Sequence, residues 1–407
     1  MSDELVATPL LWGLRSMRAH VELFSERLTE FGYAPFTWRA KVRFAAQLAR
    51  WAESNSVVAR SLTERSITKA LRRWPRVDPE RGKAMLQFLE HLRERGVVRR
   101  PSPEPQSPAT QLEQRYLDYL RDERGLAVAT LVNYRAFVRE LLHQRYGAGP
   151  VSVDALTAKD IATFQLRRIQ TMGSGRAKLL GTALRSFLRF LFLEGETPID
   201  LSSAVPMVRT FRNAAIPRYI AAPDVRRVLA SCDAATAVGR RDQAVLLLLA
   251  RLGLRAGEVV KLELDDIHWR SAELVVRGKG KLHDRLPLPK DVGAALARYL
   301  TTDRPRCACR RVFLRLRAPV RGLASAAAVT TIVERAIDRT GLKPPWRGAH
   351  LLRHSLATDM IRGGATLGEI GQLLRHRSPV TTEVYAKVDF EGLRGVALPW
   401  PGARGAR

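Results

Sequence analysis

Apolar residues recur at intervals of three and four along most of the chain, which is the spacing of one face of an α-helix. One such set is Leu112, Tyr116, Leu117 and Leu120, and a second runs through residues 131–142. The pattern changes once, where residues 273–277 and 284–288 predict two strands joined by a loop at 278–280, and residues 312–316 predict a further strand. The sequence therefore predicts a mainly α fold with a small β-sheet.

Two proline-containing stretches without apolar periodicity predict the domain boundaries. Residues 100–109 hold four prolines and residues 205–221 hold two, and both are typical of linkers. They separate an extra N-terminal helical domain (1–99), a second helical domain (110–204) and a C-terminal domain (222–390) that a tail (391–407) follows. A chain of 407 residues is long enough for each of these domains to bury its own core.

The two N-terminal helical domains share residues in the same order. Four residues of the first recur at an offset of 93 in the second, namely Gly32, Ala34, Thr37 and Phe44 against Gly125, Ala127, Thr130 and Phe137. Two further blocks match at offsets of 94 and 99. The pattern favours domain 1–99 as a duplicate of 110–204. The alternative is that two amphipathic helical domains share Leu, Phe and Gly by chance.

The charge of the chain indicates its partner. It has 68 Lys and Arg against 40 Asp and Glu, a net charge of +28 that is spread along the whole length. A folded basic surface can neutralise phosphates and release their counterions, so nucleic acid is favoured over a membrane surface. The apolar run at residues 244–250 is far shorter than a bilayer span of about 20 residues, and the N-terminus has no secretory signal pattern. We therefore expect a cytoplasmic protein with no membrane partner.

Neither a metal nor a cofactor is expected. Cys232, Cys307 and Cys309 do not make a disulfide framework, and no second Cys or His pair stands near the last two at zinc-like spacing. Asp265 and Asp266 are an alternative site for metal-dependent strand transfer. Because adjacent side chains point apart, a solvated turn is favoured for them.

The first candidates for chemistry are basic residues of the C-terminal domain. Arg255 lies at a predicted loop-to-helix junction, and Lys279 lies between two glycines at the tip of the predicted hairpin. His350 and Arg353 are three residues apart, so both project from one face of a helix that stops at residues 363–364. His354 is expected to turn away from that face and to be a packing or surface residue.

Two further candidates follow this helix. His376 comes after a short predicted helix at 367–374. Ser378 and Pro379 predict the start of another helix, which carries Tyr385 about two turns in. Taken singly, Tyr385 is a core tyrosine and Lys279 a solvated hairpin tip.

Taken in order, these residues resemble the catalytic domain of the tyrosine recombinases, the phage integrase family. The family pattern is an Arg in a Gly-Leu-Arg-x-x-Glu context, a Lys on a β-turn, a His-x-x-Arg pair, a His and a Tyr. These correspond here, over about residues 222–390, to Arg255, Lys279, His350, Arg353, His376 and Tyr385. Segment 110–204 looks like the SAM-like core-binding domain, which completes a clamp around DNA. Arg375 departs from the pattern, since the family often has Gly before the second His.

The resemblance implies a site-specific DNA recombinase, integrase-like or transposase-like, of a mobile element. Tyr385 would attack the phosphate and form a 3′-phosphotyrosine, while Arg255 and Arg353 bind its non-bridging oxygens. Lys279 would protonate the leaving 5′-oxygen, and the two histidines of the pattern would assist proton transfer. Neither metal nor ATP is needed. The partners implied are double-stranded DNA and further protomers, a dimer on each site and a tetramer in synapsis, with related recombinases as possible members.

Two alternative functions would use the same basic, DNA-binding surface. A type IB topoisomerase shares the constellation but reseals the same strand, whereas the two upstream helical segments and the tail after Tyr385 favour recombination. A non-catalytic DNA-binding partner is the other alternative, and it would have no physical need of all six residues.

Overall fold

The computed structural model describes residues 8–74, 78–101, 107–147, 149–209, 217–278 and 283–388. These residues are mainly helical with one small antiparallel sheet, which confirms the predicted fold class. The chain divides into two compact units, Met1–Arg100 with Ala215–Arg407 and Pro101–Ala214. The division places the N-terminal segment with the C-terminal one, so a separate domain at 1–99 stays a prediction. Within the described ranges, no helix is long and apolar enough to cross a membrane.

The N-terminal segment consists of four helices around a core of its own. A 3-10 turn at Thr8–Leu11 precedes α1 (Arg18–Glu30) and α2 (Pro35–Ser54), and a second at Ala59–Ser61 precedes α3 (Glu64–Leu71) and α4 (Pro79–Glu94). Both α2 and α4 begin with proline, whose missing N–H has no partner to lose in the first turn. Phe24 and Phe88 meet in the core with ring centroids 5.3 Å apart.

The next segment also has four helices with a 3-10 turn between the second and the third. It comprises α5 (Pro108–Asp122), α6 (Val128–Tyr146), a 3-10 turn (Val153–Ala155), α7 (Ala158–Ile169), α8 (Ser174–Leu193) and a final turn (Leu201–Ala204). Its core packs Tyr116 edge-on against Phe187, with ring centroids 5.1 Å apart. The carboxylate of Glu113, only 3% exposed, joins α5 to α6 through Arg135 at 2.5 Å.

The two segments also agree in local detail at the residues that the sequence matched. Gly32 and Gly125 both have positive φ, at 68° and 58°. Thr63 and Thr157 each begin a helix through a reciprocal capping box, directly after a one-turn 3-10 helix. The glycines after the last helices, Gly96 and Gly195, share a φ of 72°. These agreements support the predicted duplication.

The C-terminal segment is built around one central helix, α10 (Ala237–Leu252), whose run of residues 244–250 is buried. The helices that pack against it include α9 (Ala222–Ala230), α12 (Lys290–Arg298), α13 (Ala326–Thr340) and α14 (His350–Arg362). Helix α9 has Pro223 in its first turn, where the missing N–H of proline has no helical partner to lose. A helix that is covered on all sides needs no polar stripe, which explains the apolar run.

The sheet contains the predicted hairpin and one additional strand. Strands β1 (Ile267–His268), β2 (Glu273–Arg277) and β3 (His283–Pro287) lie in that order, and Val275 pairs with Arg285. The prediction of a strand at 312–316 was wrong. This stretch forms isolated bridges instead, and three successive residues, Val312 to Leu314, are buried where a half-buried strand would alternate.

The remaining described elements of the domain are short. They are the helices α11 (Ala256–Lys261) and α15 (Leu367–Leu373), a π-helix (Tyr299–Asp303) and three 3-10 turns at Leu264–Asp266, Pro379–Thr381 and Glu383–Val388. The prediction of one helix carrying Tyr385 was wrong in form, because Ser378 makes no side-chain cap and the backbone bonds tighten to i→i+3. Tyr385 lies in the last of these turns, inside a small apolar cluster with Ala357, Ile361, Ile370 and Leu374.

Candidate active site

Arg255 lies at the N-terminus of α11, at the junction that the sequence predicted. Its backbone N–H donates to Glu258 Oε2 at 2.7 Å, and its Nη1 donates to Glu258 Oε1 at 2.7 Å. The Glu258 side chain is 8% exposed, whereas that of Arg255 is 42% exposed. A buried carboxylate therefore orients a guanidinium that remains open to solvent.

Arg375 binds the same carboxylate from the other side. Its Nη2 lies 2.8 Å from Glu258 Oε2, and its side chain is only 6% exposed. The backbone of Arg375 has a φ of 54°, a conformation that favours glycine and costs a larger residue on the order of 1 kcal/mol. The departure from the family pattern thus preserves the backbone shape of a glycine and adds a second cation beside Glu258. Burial raises the pKa of Glu258, but the bond from the Arg255 N–H and the charge of Arg375 outweigh it and hold the pKa below its usual value.

Arg353 anchors the centre of the site. It is 3% exposed, and its two terminal nitrogens donate to the carbonyl oxygens of Gly253 and Leu374. Gly253 has a φ of 57°, which favours glycine, and a Cβ there would lie 2.6 Å from the end of the Leu374 side chain, which would have to shift. Arg353 thus connects the loop before Arg255 to the end of α15.

His350 lies at the start of α14, one turn before Arg353, as predicted. Burial lowers the pKa of His350, and the positive charges of Arg353 and Arg255 lower it further. Both arginines are therefore close enough to affect its protonation. The arrangement brings His350, Arg353 and Arg255 together on one side of the domain.

Tyr385 is 1% exposed, and its hydroxyl oxygen lies 2.7 Å from His354 Nδ1. The prediction that His354 turns away from the site was therefore wrong. His354 is four residues after His350, and the two rings lie 6.2 Å apart on neighbouring turns of α14. This i,i+4 spacing was the signal in the sequence that could have found it.

His376 is a second histidine beside the tyrosine ring. Its Nδ1 is 2.8 Å from Thr382 Oγ1, and its ring is nearly parallel to that of Tyr385 with centroids 6.5 Å apart. Burial lowers the pKa of His376 to about 4, with the charge of Arg353 adding to the effect. Burial raises the pKa of Tyr385 to about 12. In the free chain the tyrosine is thus a neutral phenol near two neutral imidazoles.

Lys279 lies outside the described residues, in the connection between β2 and β3. The described part of the hairpin does approach the site, because Asp284 Oδ2 on β3 lies 3.9 Å from Arg375 Nε. Asp284, Arg375, His376 and Thr382 line one pocket of about 410 Å³. The hairpin that carries Lys279 is therefore close to two of the site's basic residues.

The alternative carboxylate pair binds arginines instead. Asp265 accepts hydrogen bonds from Arg310, and the buried Asp266 accepts them from Arg277 and from the N–H of Glu263. In the described ranges, no group of three His, Cys, Asp or Glu side chains could hold a metal ion. The two adjacent carboxylates bind separate arginines, as expected from their opposite directions. The predicted solvated turn was wrong for Asp266, which is 4% exposed, because Arg277 and the Glu263 N–H bind its carboxylate inside the fold.

Comparison with known proteins agrees with this geometry. Residues 218–391 match the phage integrase family, and residues 114–195 match the N-terminal SAM-like domain of phage integrases. A protein of Sinorhizobium fredii named as an integrase/recombinase is 42% identical over 382 residues, 93% of either chain. The tyrosine recombinase XerD of Mycobacterium tuberculosis is 31% identical over 310 residues, which cover 71% of this chain and 96% of XerD.

Solved structures share the fold. The recombinase XerH bound to a palindromic difH substrate aligns over 87% of this chain and 94% of its own, with a TM-score of 0.57 and 16% identity. A lambda integrase dimer bound to a core site aligns over 72% and 98%, with a TM-score of 0.52 and 18% identity. The chain belongs to the phage integrase family, the tyrosine recombinases, and is thus a DNA strand transferase of the site-specific recombinase class.

The buried histidine beside Tyr385 predicts a pH dependence of stability. Burial, with the charges of His350 and Arg353, lowers the pKa of His354 from 6.5 to about 4. Because the folded chain resists protonation of this ring, its stability is complete above the ordinary pKa and decreases as the pH falls toward 4. We expect His354→Gln to lose less thermal stability than the wild type between pH 6.5 and 4.5. Equal losses in calorimetry would show that His354 is not held neutral.

Proposed function

We propose that Tyr385 is the nucleophile of this recombinase and forms a 3′-phosphotyrosine with double-stranded DNA. The observation that carries the proposal is the convergence on one tyrosine: the Tyr385 hydroxyl contacts His354, the His376 ring faces it, and Arg353 is close enough to oppose the rise in its pKa. A core tyrosine would need a partner for its hydroxyl but not two histidines and an arginine.

The electrostatics define what the site must supply. A phenol with a pKa near 12 is ionised in far fewer than about one molecule in a thousand at pH 7. Arg255 and Arg353 offset this cost when they bind the non-bridging oxygens of a phosphate, since planar bidentate donors suit them. His350 and His376 hydrogen-bond the same phosphate and assist proton transfer from Tyr385. The arginines thereby supply the charge that stabilises the pentacoordinate phosphorus.

We infer a role for His354 beyond those that the family pattern implies, from its contact with the Tyr385 hydroxyl. A neutral imidazole 2.7 Å from the phenol can accept its proton as the tyrosine oxygen bonds to phosphorus. The bond from phosphorus to the 5′-oxygen then breaks, and Lys279 gives this oxygen a proton. Attack by another 5′-hydroxyl reverses these steps and reseals a strand, because the phosphotyrosine conserves the ester bond.

The substrate and assembly follow from relatives and charge. The XerH structure is bound to difH DNA, and lambda integrase has been solved as a dimer on a core site and as a tetramer on a Holliday junction. We propose double-stranded DNA and homo-oligomers of the same kind for this chain, whose net charge of +28 suits a polyanion. Residues 110–204 act as the DNA clamp and residues 222–390 as the catalytic domain. We propose a cytoplasmic location, where the protein would meet double-stranded DNA.

Recombination and simple strand relaxation differ in one assay. A plasmid that carries two copies of the cleavage site should yield recombinant circles with the wild-type protein. A supercoiled plasmid without the site should remain supercoiled under the same conditions. Relaxation of the site-free plasmid, without recombinants from the other, would favour the type IB topoisomerase alternative.

A further inference from the structure

We propose that the N-terminal segment, residues 8–101, binds the DNA backbone through a basic corner formed by Arg43, Phe44, Trp74 and Arg81. The inference goes beyond the proposed catalytic function and takes from it only that DNA is the substrate. Nothing in the family pattern requires this segment, since the matched regions begin at residue 114.

Two arginines of the corner lie on aromatic rings. The Arg81 guanidinium carbon lies 5.4 Å from the Phe44 ring centroid and 5.0 Å from that of Trp74. The Arg43 guanidinium carbon lies 5.1 Å from the centroid of the same Phe44 ring. Ring contacts of this kind hold a cation in place without neutralising it. The corner therefore presents two oriented positive charges.

These charges have no anionic partner in the described part of the chain. Neither Arg43 nor Arg81 takes part in any of its ion pairs, and Arg81 Nε is buried without a hydrogen-bond partner there. Glu80 is adjacent to Arg81 in sequence, but its carboxylate binds Lys83 at 2.7 Å. The oxygens of a phosphodiester fit the planar donors of a guanidinium group. Such a phosphate would supply the anionic partner that both arginines lack among the described residues.

The same contact of an arginine with a buried phenylalanine ring recurs in the segment that matches the SAM-like domain. Arg176 is the third residue of α8, as Arg81 is the third residue of α4, and its guanidinium lies 5.7 Å from the centroid of Phe137. Phe137 is the residue that the sequence pairs with Phe44, and both rings are buried at 3% exposure. Arg176 is exposed and forms no ion pair within the described ranges. The predicted duplication would explain why both segments have an arginine over the corresponding ring.

The net charge of the segments fits the same partner. Residues 1–100 hold 19 Lys and Arg against 11 Asp and Glu, while residues 101–214 hold 15 against 11. The N-terminal segment is therefore more basic than the one we propose as the clamp. A partner protein with an acidic face would use the same charges, so the experiment must tell the two apart.

The test compares two double variants of the full chain, Arg43→Glu with Arg81→Glu and the control Arg18→Glu with Arg100→Glu. The control changes the net charge equally at exposed arginines that already pair with Glu22 and Glu90. Fluorescence anisotropy measures the affinity for a 60-base-pair duplex without a cleavage site, over a range of salt concentrations. This probe length is arbitrary and corresponds to about six helical turns. We expect the corner variant to bind at least about tenfold more weakly, with a log–log salt slope smaller by about 2, and the control to keep the wild-type slope.

Three results would overturn the proposal: equal losses in both variants, an unchanged slope in the corner variant, or no weakening at all, which would favour a protein partner. Arg43→Lys with Arg81→Lys keeps the charges and should restore most of the slope, which separates a binding defect from misfolding. Covalent adduct formation at saturating protein is measured in parallel. If wild-type adducts were absent, the catalytic proposal would fail, while the difference in binding would still test the corner.

Discussion

Replacing Tyr385 by Phe should abolish covalent protein–DNA adducts while leaving DNA affinity within about twofold of the wild type. The substitution removes only the hydroxyl that contacts His354, and the ring continues to fill its buried position among α14 and α15. Losing one hydrogen bond to a histidine costs about 1 kcal/mol of stability, so the protein should remain folded. A suicide substrate, which releases a short fragment after cleavage and blocks religation, measures the adducts.

Tyr219 provides the matched control for this experiment. It borders the same apolar cluster, and its hydroxyl accepts a hydrogen bond from Arg362 at the surface. We expect Tyr219→Phe to form adducts at close to the wild-type rate. If Tyr385→Phe still formed adducts, or if Tyr219→Phe lost them, Tyr385 would be the wrong nucleophile.

The second large effect is expected for Glu258→Gln. The amide keeps the shape of the side chain but removes the negative charge between Arg255 and Arg375. The Arg375 side chain is only 6% exposed. Removing one partner of a buried pair leaves a charge uncompensated and typically costs 3–5 kcal/mol. Because the Arg255 side chain is 42% exposed, we expect the lower end, about 3 kcal/mol in urea unfolding. Cleavage should slow by on the order of 100-fold, because Arg255 loses its orientation.

Glu273→Gln is the control for the loss of a carboxylate. Its partner Arg285 is 70% exposed, so this ion pair should contribute no more than about 1 kcal/mol. Equal destabilisation by both variants would mean that burial of the Glu258 pair has no special effect. Normal cleavage by a folded Glu258→Gln protein would show that Arg255 does not depend on this carboxylate.

Much of the fold follows from patterns that are local in sequence. The helix at His350–Arg362 was predictable from apolar spacing and its terminal glycines, and the β2–β3 hairpin from two β-rich runs around a glycine turn. The strand expected at 312–316 failed because this stretch is buried from several directions, which gives an apolar run without giving strand pairing.

The sequence predicted the positions of the candidate site residues within their elements better than it predicted the contacts between their side chains. Arg255, His350, Arg353 and His376 lie where their motifs placed them, whereas the contact of His354 with Tyr385 joins residues 31 positions apart. That contact depends on two 3-10 turns in place of the expected helix. The role of Arg375 was equally hidden, because its partner Glu258 is 117 residues away. Such contacts depend on tertiary packing, which the apolar periodicity of a sequence does not predict.

Mapping the residue that carries DNA tests the central claim most directly. The adduct trapped with a suicide substrate is digested with nuclease and protease, and the peptide that retains nucleotide mass is sequenced by mass spectrometry. The proposed mechanism predicts a single modified residue, Tyr385, linked through a 3′-phosphate. Nucleotide on any other residue, or linkage through a 5′-phosphate, would contradict it.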